Sequence, residues 1–204
     1  MILWGATTAG PTVPPGRYTV RLTADGRTLT APVTVARNPH LESVTAADLR
    51  AQYVFGRRVR DRATDANRAV IAIRRVRTAV DDRVKQKPDD AALKGAADSL
   101  RAHATAVEER IYQVRNRSGQ DPLNFPIRVN NRLATLLSMS ERGDGPPNQG
   151  MREIYDILDA ELRTYEAQLA RVWATDLAAL NRELARLGLA PVSPDAPRAA
   201  PAAE

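Results

Sequence analysis

The chain has no cysteine, two histidines and few aromatic residues, 4% of its 204 positions. Without cysteine there is no disulfide framework, no thiolate nucleophile and no thiolate-ligated zinc. His40 and His103 stand alone, with no Asp or Glu at a ligand-like spacing. They do not make a metal triad, and His103 reads as a histidine at the edge of a core. A core this poor in aromatics must be built from Leu, Val, Ile and Ala, which is the composition of a helical bundle. No apolar run could span a bilayer, and the opening Met-Ile-Leu-Trp-Gly lacks a basic leader and an h-region, so the chain itself shows no export signal. A phosphate-cradling glycine loop is missing too: Gly143-Asp144-Gly145 runs into Pro146-Pro147, which carry no N–H groups to offer an anion.

What is present in excess is basic charge, 30 Lys or Arg against 24 Asp or Glu, a formal +6. Its distribution is uneven. Twelve Lys or Arg against five Asp lie between Asp48 and Lys87, and that one segment holds the whole surplus.

Along the chain, Tyr18, Val20 and Leu22 alternate with Thr19, Arg21 and Thr23, and Leu29, Ala31, Val33 and Val35 alternate likewise. Asp25-Gly26 supplies the turn between them, so this is a β-hairpin. An isolated hairpin is marginal in water, and its apolar face calls for a cover.

Thr45-Ala46-Ala47-Asp48 is a capping box, and from Leu49 an apolar seam runs through Tyr53, Gly56, Val59, Ala63, Ala66, Val70, Ile73, Val76, Val80 and Val84. It predicts one helix of about 40 residues, about 60 Å long, stopping before Lys87-Pro88. A second seam holds Leu93, Ala96, Leu100, His103 or Ala104, Val107, Ile111 and Val114, with Asn116 to Gly119 ending it. A third, short helix is expected from about Pro126 to Ser140. A fourth is expected from about Asn148 to Leu187, with Gly188 closing it.

Between the second and third helices lies the most irregular stretch, Gly119 to Leu137. Asp121-Pro122 and Phe125-Pro126 hold their neighbours extended, and the pair Asn130-Asn131 follows. It reads as a structural corner that reverses the chain, with Phe125 anchoring it and the asparagines bonding loop backbone. The expected fold is mainly α: an up-down antiparallel four-helix bundle of long helices, preceded by the hairpin. Residues 1–38 would hold the hairpin, part of an immunoglobulin-like module by the resemblance of Pro15-Gly16-Arg17-Tyr18-Thr19-Val20-Arg21-Leu22 to the closing strands of such modules, with 39–190 the bundle and 191–204 a disordered Pro/Ala-rich tail with nothing to bury.

Two stretches carry a resemblance. Pro15-Gly16-Arg17-Tyr18-Thr19-Val20-Arg21-Leu22 is similar to the closing strands of bacterial immunoglobulin-like modules. Gln120-Asp121-Pro122-Leu123-Asn124-Phe125-Pro126-Ile127 and the following Asn pair, with Trp4-Gly5 and Ala174-Thr175-Asp176-Leu177, resemble the C-terminal region of secreted sortilin-type or Asp-box β-propeller proteins, often named glycosyl hydrolases. The resemblance spans roughly Met1 to Asn181. It implies a secreted or periplasmic parent in which a propeller and an immunoglobulin-like module precede a helical tail. No Ser-x-Asp-x-Gly-x-x-Trp box occurs here, so no catalytic role of such a parent transfers to this chain.

The residues themselves support no catalytic, cofactor-binding or metal assignment. Glycosidase chemistry needs two facing carboxyls. The candidates, Asp81-Asp82, Asp89-Asp90, Glu108-Glu109, Asp156, Asp159 and Glu161, read as solvated helix faces. On the first helix, Arg50, Arg57, Arg68 and Arg75 fall near one line, with Arg60 beside it, opposite the seam. This stripe would suit an anionic polysaccharide or membrane surface. With no aromatics between the arginines to stack bases, nucleic acid is disfavoured. The expected function is a non-catalytic C-terminal scaffold or interaction module, whose partner is the rest of its parent or another protein. The alternatives are an accessory part of a glycosidase whose site lies in the propeller, and a free-standing basic protein that binds anionic polymers.

Overall fold

The computed structural model describes residues 2–5 and 9–195. The protein is mainly helical, with four helices packed together behind a two-stranded antiparallel hairpin. The hairpin comprises β1 (Gly16–Ala24) and β2 (Arg27–Val35), in the register Tyr18↔Val33, Val20↔Ala31 and Leu22↔Leu29. All the alternating apolar side chains therefore share one face. Among the described residues no helix covers it, and every residue from Thr19 to Thr34 is exposed.

The first helix, α1, runs 41 residues from Ala46 to Gln86. Its start is local chemistry: the Thr45 hydroxyl accepts from Asp48 N–H at 3.1 Å, and the Asp48 carboxylate accepts from Thr45 N–H at 3.0 Å. The predicted seam is buried from Gly56 through Val80, and Gln52 and Phe55 join it. Asp90 caps α2 (Ala91–Ile111) by accepting from Leu93 N–H at 2.8 Å. A single 3₁₀ turn, Asp121–Leu123, precedes α3 (Val129–Ser140). The last helix begins as α4 (Gln149–Val172), capped by Asn148, widens into a π turn at Trp173–Leu177, and resumes as α5 (Ala178–Arg186). Gly188, at φ 69°, takes the left-handed position past its end.

Direction is set by which residues meet. Arg74, Arg77 and Asp81 of α1 pair with Glu108, Thr105 and Arg101 of α2, so α2 runs antiparallel to α1 along its second half. Asn67 and Gln52 meet Asn130 and Ser140, so α3 also runs antiparallel to α1, along its first half. The last helix runs parallel to α1: Phe55 meets Tyr155, Arg62 meets Asp159 and Glu166, and Arg83 donates to the Ala190 carbonyl.

This corrects the expected up-down-up-down order. The two consecutive helices α2 and α3 point the same way, and the four helices form three rods, the middle one broken by the corner. The physical reason is length: α1, at about 1.5 Å per residue, is about 62 Å long, and neither α2 nor α3 alone can cover its seam. The corner therefore does not reverse the chain.

A second correction concerns the tail. Pro191 to Asp195 do not trail away. Val192 is buried, its N–H and C=O both bond the Asn181 side chain, at 2.9 and 3.0 Å, and Arg75 reaches the Pro194 carbonyl. Residues 196–204, the rest of the expected tail, lie outside the described residues.

Candidate functional site

The corner and the N-terminal segment form one polar assembly. Asp121 organises the corner: its carboxylate accepts from the Arg117 and Ser118 N–H groups, the latter at 2.8 Å, and from the Ser118 hydroxyl at 2.9 Å. These bonds, the Arg117 and Ser118 amides foremost, hold its carboxyl below the ordinary aspartate value. Pro122 fits the first turn of the 3₁₀ helix, where no N–H is needed, and the Asp121 carbonyl accepts from Asn124 and Phe125. Phe125 is half-buried, with the Arg115 guanidinium 4.0 Å from its ring centre. Gln113 donates to the Pro126 carbonyl at 2.9 Å.

The paired asparagines are buried and divide their work. Asn131 accepts from the Trp4 N–H at 2.7 Å and donates to the Trp4 carbonyl at 2.9 Å, so it completes backbone as expected. Asn130 instead bonds a side chain, Asn67 of α1, at 3.1 Å. The N-terminal segment is held at two further points, Ile2 N–H on the Tyr112 hydroxyl and Thr12 N–H on Glu141. Near its far end Pro11 lies over Gly56, where a Cβ would come within 3.1 Å of it. Through Ile2, Trp4, Pro11 and Thr12 the N-terminal segment thus straps α1 to α3.

The carboxylates expected on solvated faces are of two kinds. Glu108 is buried, which corrects that expectation, and it is neutralised by Arg74 Nε at 2.6 Å and Arg77 Nη1 at 2.9 Å. The Arg77 contact is ionic without hydrogen-bond alignment, since that guanidinium aims its bond at the Thr105 hydroxyl. Asp159 is bound by Arg62 and Arg163, and Glu161 by Arg132 and Tyr165. Arg62 also holds Asp65 and Glu166. Burial works against its charge, and these carboxylates more than restore it. Glu108, Asp159 and Glu161 thus each tie their helix to a neighbouring one, through Arg74, Arg62 and Arg132 respectively.

His103 is not at the core edge: Ala104 takes the buried position, and His103 lies outside with Nδ1 3.0 Å from Asp176 Oδ1 in the π turn. Burial raises the Asp176 pKa, but the bonds from His103, Thr175 and Ser99 outweigh it and lower it on balance. Ser99, His103 and Asp176 are three residue types of a hydrolytic triad in the wrong order. Ser99 and His103 both bond Asp176 Oδ1, so the imidazole is not placed to take the serine proton.

The arginine stripe is divided. Arg50, Arg57 and Arg68 are exposed, whereas Arg60 pairs with Asp61 and Arg75 is partly covered by the Pro194 carbonyl. Among the described residues no group of three metal-ligating side chains forms and no helix is long and apolar enough to cross a membrane. A cleft of about 280 Å³ lies between α3 and α4 and is lined by Ile127, Leu136, Met139, Ile154, Ile157 and Leu158, with Arg132 and Thr135 as its polar members.

Sequence reasoning missed the π turn, the Glu108 node and this cleft. The one local signal was the surplus of apolar residues on α4, where Ile154 and Ile157 lie off the buried stripe. Comparison with models of protein families, with curated proteins and with solved structures finds no match.

Proposed function

We propose that this chain is a non-catalytic scaffold or interaction module, the helical C-terminal region of a secreted propeller-type parent. The observation that carries the reading is a contrast between its two parts. The helices bury their seams, with Val59, Val70, Ile73 and Val80 inaccessible, while the hairpin leaves Val20 at 55%, Leu22 at 61%, Leu29 at 68% and Val33 at 41% exposure. A strand pair patterned so strictly on one face is made to be covered, and two strands are too few to be stable alone. On this reading the hairpin is the end of an immunoglobulin-like module, and the bundle is the rigid body that presents it to the rest of the parent or to another protein. A glycosidase site in the propeller would be served by this chain through position only, because its buried acids are committed to arginines.

The reading of a free-standing protein for anionic polymers rests on three exposed arginines, Arg50, Arg57 and Arg68, of which Arg68 lies 3.9 Å from Asp65, since Arg60 and Arg75 are more fully engaged. The test of the parent is the upstream coding sequence, where Asp-box repeats and a secretion signal are expected. Their absence would sink the propeller reading. Retention on heparin at physiological salt, lost when Arg50, Arg57 and Arg68 are all changed to Ala, would replace it with the polymer reading.

A further inference from the structure

The hairpin has two edges as well as a bare face, and they are not equivalent. Asp25 and Gly26 have φ of 48° and 71°, the left-handed pair of a two-residue type I′ turn closed by Ala24↔Arg27. The closing pair of such a turn exchanges both backbone bonds, and bonded and non-bonded pairs alternate from there. Gly16, Tyr18, Val20, Leu22 and Ala24 therefore direct their N–H and C=O groups at β2. Arg17, Thr19, Arg21 and Thr23 direct theirs away, along a free edge.

On the opposite edge the outward set is Thr28, Thr30, Pro32 and Thr34. Pro32 has no N–H, so this edge is broken in the middle and resists a further strand. The β1 edge is unbroken, and its outward residues are exposed. Its polar face carries Arg17 and Arg21, which face Thr34 and Thr30 across the ladder and have no acidic partner among the described residues. A second copy of the chain is disfavoured there, because two β1 strands would bring four arginines and no acid onto one polar face in any register. Antiparallel pairing of β1 with itself about Thr19 would set Arg17 of each copy against Arg21 of the other, and like charges directly opposite destabilise a sheet.

We infer that the β1 edge is a docking site for an extended segment of a partner polypeptide, with acidic residues four positions apart and apolar residues at the alternate positions between. The backbone of Arg17, Thr19, Arg21 and Thr23 binds the segment as a third strand. The acids meet Arg17 and Arg21 on one face, and the apolar residues extend the Tyr18, Val20 and Leu22 face on the other. This deepens the interaction-module reading and rests on it only in taking the hairpin as a contact surface.

The test uses the full chain and a fluorescein-labelled peptide, Gly-Ser-Glu-Val-Thr-Val-Glu-Val-Thr-Gly-Ser, followed by anisotropy. Saturable binding is expected, with the same peptide carrying Lys for both Glu about tenfold weaker or worse. Thr19→Pro removes an outward N–H from the β1 edge and should abolish binding. Thr30→Pro removes one from the β2 edge and should leave binding unchanged. Amide NMR signals of Val20 and Leu22 report that the hairpin persists in both variants. No saturable binding, equal loss in both proline variants, or equal affinity for the Lys peptide would each overturn the inference. The propeller reading falls separately, on the upstream sequence.

Discussion

The side-chain amide of Asn131, at the start of α3, pairs with both backbone groups of Trp4: its oxygen lies 2.7 Å from the Trp4 nitrogen and its nitrogen 2.9 Å from the Trp4 oxygen. A primary amide with one donor side and one acceptor side matches a peptide unit, and here it receives the N-terminal strap as another strand would. Because the match is to backbone, the identity of residue 4 matters little to it. Asn131→Ala should cost about 1–3 kcal/mol, since two partly buried hydrogen bonds are lost, while Trp4→Ala should cost well under 1 kcal/mol. Urea unfolding of both variants decides this, and equal costs would show that the indole is the anchor.

Glu108 and its arginines predict an asymmetry. Arg74 and Arg77 are partly exposed and can be hydrated if the acid is removed, whereas Glu108, at 1% exposure, cannot. Glu108→Leu should be nearly neutral, and Arg74→Ala combined with Arg77→Ala should destabilise by about 3–5 kcal/mol. Thermal unfolding of the two proteins that ranked them the other way would contradict the assignment of Glu108 as the buried member.

The corner should loosen in acid. The Asp121 carboxyl is held below its unfolded value by the Arg117 and Ser118 amides, so its contribution is fully present above about pH 4, the ordinary aspartate range, and is lost as pH falls through the lowered folded value. Hydrogen exchange at Arg117 and Ser118 should show a loss of protection over that window, beyond the intrinsic rate change. In Asp121→Ala the protection should be weak at every pH. An unchanged profile in that variant would remove Asp121 from its organising role.

Pro191 to Asp195 are predicted to stabilise the bundle. Truncation after Leu189 removes buried Val192 and both bonds of Asn181, and strips carbonyl partners from Arg83 and Arg75. A loss of about 2 kcal/mol is expected. Truncation after Asp195 should leave unfolding unchanged. If both shortened chains melt like the full one, the docking of this segment is energetically idle.

The hairpin and the strap should behave as separate units. Gly16 and Val35 are direct partners, so a Gly-Ser linker of about four residues can replace 16–35 without moving the chain on either side. That replacement should leave the melting temperature of the helices unchanged. Deletion of residues 1–38 should lower it, because the bonds of Trp4 to Asn131, Ile2 to Tyr112 and Thr12 to Glu141 go with it. A large drop from the linker variant alone would mean the strands brace the bundle.

Much of this architecture follows from short-range pattern. Thr45 and Asp48 are three residues apart, Asp25 and Gly26 adjoin, and the seam from Gly56 to Val80 repeats at a helical period. Each is settled by local sterics and hydrogen bonding, so α1, the hairpin and their limits are legible without a fold. The corner was legible as an interruption for the same reason, through Asp121, Pro122, Phe125 and Pro126.

Its direction was not legible. Whether the chain turns back or carries on after Pro126 depends on Asn130 finding Asn67 and Ser140 finding Gln52, contacts across 63 and 88 residues. The same separation hid Glu108 between Arg74 and Arg77, His103 against Asp176, and Val192 on Asn181. Helix faces 100° apart look equally polar in one dimension. Which of them meets a neighbour, and so must be neutralised or dried, is decided when three rods of unequal length have to bury one seam on a helix about 60 Å long.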